Sequence, residues 1–287
     1  MDVVVPFHGD RAELDELAAR MARLELGERD SLLVVDNTPG EDGREAAVPL
    51  LHAAERETPA YARNRGAARG EAEWIVFLDA DVAPSPGLLD RYFSPAPGER
   101  TALLSGGITD EPVPRGGPPA ARYVHLRELM SQEDTLRIGR WAFPKTANVA
   151  CRRAAFEQLG GFRDELRGGE DADLTYRMSE AGWALERREE ASVVHLSRHT
   201  VRGFVRQKLV HGSGLAWVER HYPGAAPARR MPGLLWWGVR TAVRGLGRAV
   251  RTRDRDEALW AVFEPLEVIT HELGRRLPNE RPPRPGR

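Results

Sequence analysis

The sequence predicts an α/β fold: a mostly parallel central sheet flanked by helices, continued by a helical extension at the C-terminal end. Three observations carry that expectation. Short β-branched runs alternate with helical periodicity through the first hundred residues, polar side chains stand where those runs end, and beyond Thr200 only helical spacing remains. A chain of 287 residues, 41% hydrophobic and 30% charged, has the composition of a globular protein with a substantial core, in one large domain or two small ones.

The first run, residues 3–5, is a short buried strand. Asp10 can cap the following segment, RAELDELAARMARLEL, where Leu14, Leu17, Met21 and Leu24 recur at helical spacing. Residues 32–35 read as a second strand. Strand, helix and strand within about thirty residues make a βαβ unit, which requires parallel strands. The pattern continues with a helix over 60–70 and a strand over 75–78. Pro84-Ser85-Pro86 breaks the chain before another helix, and 102–105 reads as a strand. GGITDEPVPRGGPP is a Gly/Pro-rich loop and 121–132 a helix. NVACRRAAFEQLGGF reads as strand, helix and a double-glycine stop. EDADLTYRMSEAG is helical, Gly182 ends it, and 192–195 returns to strand. The expected divisions are 1–110 and 111–200, two halves of the α/β part, then 201–277, basic and helical. Residues 278–287 are too polar and Pro-rich to fold alone and are expected to be a disordered tail.

Composition excludes several classes. The single cysteine, Cys151, allows neither an internal disulfide nor a zinc-ligand spacing and reads as a small buried apolar residue. The opening MDVVVPFHGD lacks a basic and then apolar leader, and no segment approaches the roughly 18 apolar residues of a membrane span, so a cytoplasmic protein is expected. The net charge of −1 hides an asymmetry: 18 Lys/Arg against 8 Asp/Glu from Arg198 onward, and 24 against 35 before it. An acidic front and a basic tail suggest two jobs.

The strand WIVFL runs into Asp79-Ala80-Asp81. If the strand persists, its period of two puts Asp79 and Asp81 on one side, beyond a carboxyl end, where ligands of parallel sheets bind. Paired carboxylates there suit Mg²⁺ or Mn²⁺ completed by substrate phosphates; the alternative is an Asp cap beside a turn. Asp36 closes another strand and His8 follows the first. Asp36 could accept from a base edge such as a uracil imide, with Pro6 shaping the turn beneath; the alternative is a plain Asx turn at Asp36-Asn37-Thr38. In LRGGEDADLTYR, Gly168 and Gly169 could let a carboxylate of Glu170 or Asp171 face a cleft as a general base, or the acids merely cap a helix start. Arg177, six residues beyond Asp171, is off that face and reads as a pairing arginine.

The order VVVPFH, VVDN, YARNRGAARGEAEWIVFLDADV, TANVACRRAAFEQLGGFRDELRGGEDADLTYRMSEAGW and VVHLSRHT, over roughly residues 2–222, resembles the inverting glycosyltransferases of family 2 with the nucleotide-sugar-binding GT-A fold. The resemblance implies roles position by position. Pro6 and His8 line the nucleotide pocket, Asp36 binds the base and Arg63 lies near the nucleotide. Asp79 meets the ribose or metal shell, with Ala80 between it and Asp81, the ligand of the metal on the diphosphate. Asn148 lies beside donor sugar or acceptor. Asp171 deprotonates the acceptor hydroxyl, Glu170 shapes its site, and His195, with His199 a weaker candidate, helps hold the metal. The cofactor implied is Mn²⁺ or Mg²⁺, the donor a UDP sugar first, with GDP or dTDP as alternatives, and the acceptor a hydroxyl of a glycan, lipid-linked or small molecule. Many relatives carry a second acid where Asn37 stands, which leaves the base open and its contacts to Asp36 alone.

Two other functions fit the sheet type. A sugar nucleotidyltransferase needs a Gly-rich basic loop after the first strand, and PFHGDRAE has one glycine and one arginine. A non-catalytic transferase-like binding protein has no need of Asp79, Asp81 and Asp171. A Rossmann dehydrogenase is disfavoured because no G-x-G-x-x-G follows the first strand. In the tail, Arg240, Arg244, Arg248 and Arg251 share one helical face, with Leu235, Val239, Ala242, Val243, Leu246 and Val250 on another and Trp236-Trp237 at the head. This is the composition of an interfacial helix for anionic lipid, which would put the protein peripherally at the inner membrane face; the alternative is a helix packed on its own protein with its arginines in water. Nucleic acid is not expected as a partner, since no binding module accompanies the charge.

Overall fold

The computed structural model describes residues 1–41, 43–197 and 200–283. In chain order its elements are β1 (Asp2–Phe7), α1 (Arg11–Met21), β2 (Ser31–Asp36), β3 (Leu50–His52), α2 (Pro59–Ala67), β4 (Trp74–Leu78), β5 (Val82–Pro84), α3 (Leu88–Tyr92) and β6 (Thr101–Asp110). There follow α4 (Pro119–Arg127), α5 (Glu133–Leu136), a 3₁₀ turn (Gly139–Trp141), β7 (Asn148–Arg152), α6 (Arg153–Gln158), α7 (Glu170–Glu180), β8 (Ala184–His195), α8 (Val201–His221), α9 (Met231–Thr252) and α10 (Arg255–Gly274).

The chain divides into two compact units. The first comprises Met1–Thr109, Met130–Leu196 and Glu280–Arg287, the second Asp110–Leu129 and Ser197–Asn279. In the first, eight strands form one sheet in the order β3-β2-β1-β4-β7-β6-β8-β5. β3, β2, β1 and β4 run parallel; β7 is antiparallel to β4 and to β6, and β5 to β8.

The period of two sorts the strand side chains between two cores. Val3, Val5, Val34, Val76 and Leu78 meet Leu14, Leu17 and Met21 of α1 and Leu88 and Tyr92 of α3. Val4, Val35, Ile75, Phe77, Val149 and Cys151 meet Ala60 of α2, Phe156 of α6 and Leu174 and Met178 of α7. A capping box, Asp10 with Glu13, starts α1, and Thr58 caps α2 with Pro59 in its first turn. Gly66 lets α2 lie close on the sheet: a Cβ there would come within 2.3 Å of Val4 Cγ1.

Several elements depart from the sequence reading. β3 and β5 are only three residues long and α5 only four; β6 runs on to Asp110, so GGITD, expected as loop, is strand; and β8 begins at Ala184 rather than near 192 because its first half, ALERREE, is charged. Its Arg188 is nonetheless buried, donating to the Tyr92 carbonyl.

In the second unit α4, α8 and α10 enclose Tyr123, Phe204 and Phe263. Tyr123 explains why α4 groups here rather than within the expected 111–200 half: its ring contacts Phe204, Trp260 and Phe263. α4 is also shorter than expected, ending at Arg127 before the left-handed Glu128. α9 lies against α10, where a Cβ on Gly245 would come within 2.5 Å of Ala261 Cβ. That close approach offsets the helix propensity its glycines forgo. Within the expected tail, Glu280 bridges Leu166, Arg281 pairs with Glu57 at 2.6 Å and Asn279 is buried, so order extends past 278; residues 284–287 lie outside the described ones.

Candidate active site

The first unit gathers polar side chains where its strands end. β4 is buried throughout and stops at Leu78; the chain then turns, Val82 N–H donating to the Asp79 carbonyl at 3.3 Å. The strand therefore does not persist through both acids, and the expectation that they share a side is corrected. Asp79 meets α2, accepting from Arg63 Nη2 at 2.6 Å. Asp81 meets β8, where its Oδ2 is 3.4 Å from His195 Nε2. The β5–β8 ladder sets that second pair by opposing Val82 to His195. The Ala80 carbonyl between them accepts from Arg20 Nη2 at 2.6 Å.

Arg63 has a larger place than proximity to a nucleotide. It lies on the buried face of α2, and its Nη1 donates to Glu170 Oε1 at 2.9 Å, so one guanidinium ties Asp79 to Glu170. The two carboxylates outweigh burial and keep Arg63 charged.

Gly169, at φ 81°, precedes α7 and puts Glu170 and Asp171 in its first turn. Such a left-handed residue favours glycine. Asp171 Oδ1 accepts from the Ala172 N–H at 2.8 Å. Burial first, and then the Glu170 charge, push the Asp171 carboxyl up to about 7; the Ala172 N–H and Arg63 oppose the rise, while Asp79 adds to it. A carboxyl so placed can exchange a proton near neutrality. Tyr176 feels the Asp171 charge; its hydroxyl donates to the Trp141 carbonyl at 2.9 Å, and its ring contacts those of Trp141 and Phe143.

Three of the expected site residues have partners within the protein. Asp36 is wholly buried: Oδ1 accepts from the Thr38 N–H at 2.8 Å, the Asx turn, and Oδ2 is 3.4 Å from Arg44 Nη1. Arg44 also donates to the Gly9 carbonyl at 2.9 Å, so Asp36 holds the loops after β1 and β2 together. Pro6 and the exposed His8 stand at the end of β1 beside these loops. Asn148, expected beside sugar or acceptor, is likewise wholly buried. It accepts from Tyr92 Oη at 2.5 Å and donates to the Gly107 and Ala191 carbonyls, so its polar atoms are spent inside the sheet. Asp79, expected also as a metal ligand, is the Arg63 partner. Arg177 pairs with Asp173 as expected, and His199 lies outside the described residues.

Arg63 and Arg44 were missed as partners because an ion pair between distant segments leaves no periodic trace. The one available signal was a charged residue on the otherwise small, buried face of α2, among Ala60, Ala62, Gly66 and Ala67. Trp141 and Phe143 sit in a stretch with no period at all.

Among the described residues no group of three or more His, Cys, Asp or Glu is arranged to hold a metal ion. The Asp81–His195 pair does fit two places in such a shell. Their 3.4 Å separation is near the roughly 3 Å between adjacent oxygen or nitrogen ligands of an octahedral ion with bonds of about 2.1 Å. One carboxylate and one imidazole leave the remaining places to substrate and water.

The comparisons with known proteins agree with this architecture. Residues 18–212 match the family described as "Glycosyltransferase like family 2". The pre-mycofactocin glycosyltransferase of Mycobacterium tuberculosis is 29% identical over 259 residues, 86% of this chain and 53% of that protein. The chain thus spans about half the length of the curated relatives it matches first. The mannosyltransferase PcManGT of Pyrobaculum calidifontis, solved with GDP-Man and Mn²⁺, superposes with a TM-score of 0.62 at 16% identity, covering 96% of this chain and 86% of its own. GalNAc-T7, solved with UDP, GalNAc and Mn²⁺, does so at 0.51 and 19%, covering 69% and 43%. These likenesses establish the GT-A fold, and the match over more than half the chain establishes the family: this protein belongs to the family 2-like glycosyltransferases.

Proposed function

We propose that the protein moves a sugar from a nucleoside-diphosphate sugar to an acceptor hydroxyl with inversion at the anomeric carbon, and that Asp171 is the general base. One observation carries the reading: Arg63 joins the Asp79 end of the sheet to Glu170, beside a carboxyl whose proton is held near neutrality. A place for a leaving group and a place for a base then lie on one charged chain of contacts.

In this reading Asp171 takes the acceptor proton as the hydroxyl oxygen attacks the anomeric carbon. The bond from that carbon to the diphosphate breaks on the opposite face, and the nucleoside diphosphate leaves with the electron pair. A single displacement of this kind inverts the centre and needs no carboxylate nucleophile. Asp81 and His195 would hold Mn²⁺ or Mg²⁺, which when bound supplies positive charge to the leaving diphosphate. Asp79, held by Arg63, faces the ribose side, Pro6 and His8 line the nucleotide pocket, and Glu170 shapes the acceptor site with the Tyr176–Trp141 wall. Nucleotide and Mn²⁺ in the two related structures support the donor class and the ion.

A thermal-shift panel of UDP, GDP and dTDP with and without Mn²⁺ tests the donor half. Saturation at a hundred times Kd corresponds to about 2.7 kcal/mol of added stability. One nucleotide, UDP first, should raise the melting temperature only with Mn²⁺, and Asp81→Ala or His195→Ala should remove that dependence. The reading fails if none of the three does so at saturation. The anomeric configuration of the product, read by NMR, tests inversion.

A further inference from the structure

We propose that α9 is a docking surface for an anionic lipid bilayer. This goes beyond the reaction proposed above and does not depend on it. At 100° per residue, α9 carries three stripes roughly 120° apart. One, with Leu234, Gly238, Gly245 and Ala249, faces the protein: Leu234, Gly238 and Ala249 are buried, and Gly238 and Gly245 lie against Pro265, Ile269 and Ala261 of α10. The second is apolar and in water, with Leu235, Val239, Val243, Leu246 and Val250 between 41% and 79% exposed. The third is the row Arg240, Arg244, Arg248 and Arg251, all exposed.

The alternative of a helix packed on its own protein is met by the first stripe, which leaves the second exposed among the described residues. Contiguous exposed apolar surface of this kind marks an interaction site. Its neighbouring stripe selects the partner. The 22 residues of α9 include four arginines and no acid. Laid stripe to stripe, two copies of this helix would bring eight arginines together with no carboxylate on either helix, whereas an anionic headgroup layer over an apolar interior matches both stripes at once. Trp236, 63% exposed with Arg240 at 5.0 Å from its ring, stands at the seam between apolar stripe and arginine row, the position of an interfacial aromatic. The helix lies on the surface and does not cross it: among the described residues no helix is long and apolar enough to span a membrane.

The test is flotation of the full chain with vesicles of phosphatidylcholine alone and of phosphatidylcholine with 30% phosphatidylglycerol. Wild type should float with the anionic vesicles and far less with the neutral ones. Val239→Asp with Val243→Asp should lower binding at least tenfold. Arg240→Gln, Arg244→Gln and Arg248→Gln should each lower it roughly fivefold, the equivalent of about 1 kcal/mol per basic residue at such a surface. These side chains are exposed, so melting temperature should hold and serves as the folding control. The proposal is overturned by failure of wild type to bind anionic vesicles, or by binding that neither set of variants reduces. It is overturned equally if light scattering shows a wild-type dimer that the Asp pair dissociates, or if a soluble polyanion binds and vesicles do not.

Discussion

Each unit buries a small charged cluster, and the two clusters treat their carboxylates in opposite ways. In the helical unit Glu267 accepts from Lys208 Nζ at 3.0 Å and from Tyr123 Oη at 2.8 Å. Burial alone would raise its pKa, but the lysine charge and these two hydrogen bonds outweigh burial and bring the carboxyl below its ordinary value. In the sheet unit Arg63 is shared between Asp79 and Glu170, and for Asp171 burial and the Glu170 charge outweigh the single Ala172 N–H it accepts and the Arg63 charge. Burial is common to both. What differs is the count of partners, and it separates a carboxylate that holds a fold from one poised to move a proton.

The sharpest way to break the comparison is to neutralise each acid's role. Asp171→Asn should lower transfer by about 10²- to 10⁴-fold while leaving Mn²⁺-dependent nucleotide binding intact, read by kcat and thermal shift. Full activity in that variant would remove Asp171 as the base. Lys208→Met should do the reverse. It leaves Glu267 buried without its cation and should cost about 3–5 kcal/mol in chemical denaturation, without changing nucleotide affinity.

A smaller effect sharpens the electrostatics. The transfer rate should rise with pH through about 7 as Asp171 loses its proton. Because the Arg63 charge opposes the Asp171 rise, Arg63→Met should move that limb to higher pH. A limb that stays in place would mean Arg63 acts only as a tie.

Much of this contrast was legible in the sequence, but only on one side of each pair. The strands β1, β2 and β4 are apolar runs whose ends located His8, Asp36, Asp79 and Asp81, while the double glycine before α7 located Asp171 and the end of β8 located His195. Their partners are set by tertiary contact: Arg63 comes from α2, and the Asp79–Val82 turn that sends the two acids apart is invisible to a period-of-two argument. Asn148 and Asp36 show the converse. The strand end suggested a ligand contact for Asp36 and the family resemblance one for Asn148, yet their polar atoms are taken up inside the protein by Thr38 and Arg44, and by Tyr92, Gly107 and Ala191. The charged first half of β8 concealed a strand because its burial is supplied by backbone carbonyls around Arg188, which no hydropathy pattern records.

The opposite shifts also fix opposite pH dependences of stability. Glu267, held below its ordinary value of 4.5, contributes stability that is present above that value and lost as pH falls through its folded pKa. Asp171, raised from 3.8, behaves the other way: stability is fully present below about 3.8 and is lost as pH rises from there to about 7, because over that range the unfolded chain has released a proton that the buried carboxyl keeps; above about 7 the loss is complete. The most direct measurement follows the difference in melting temperature between wild type and Asp171→Asn from pH 5 to 9, with neither donor nor acceptor present. The account predicts that the variant gains on wild type by several degrees between pH 5 and about 7 and that the difference then levels off. A difference that stays flat from pH 5 to 7, or turns in favour of wild type over that range, would contradict it.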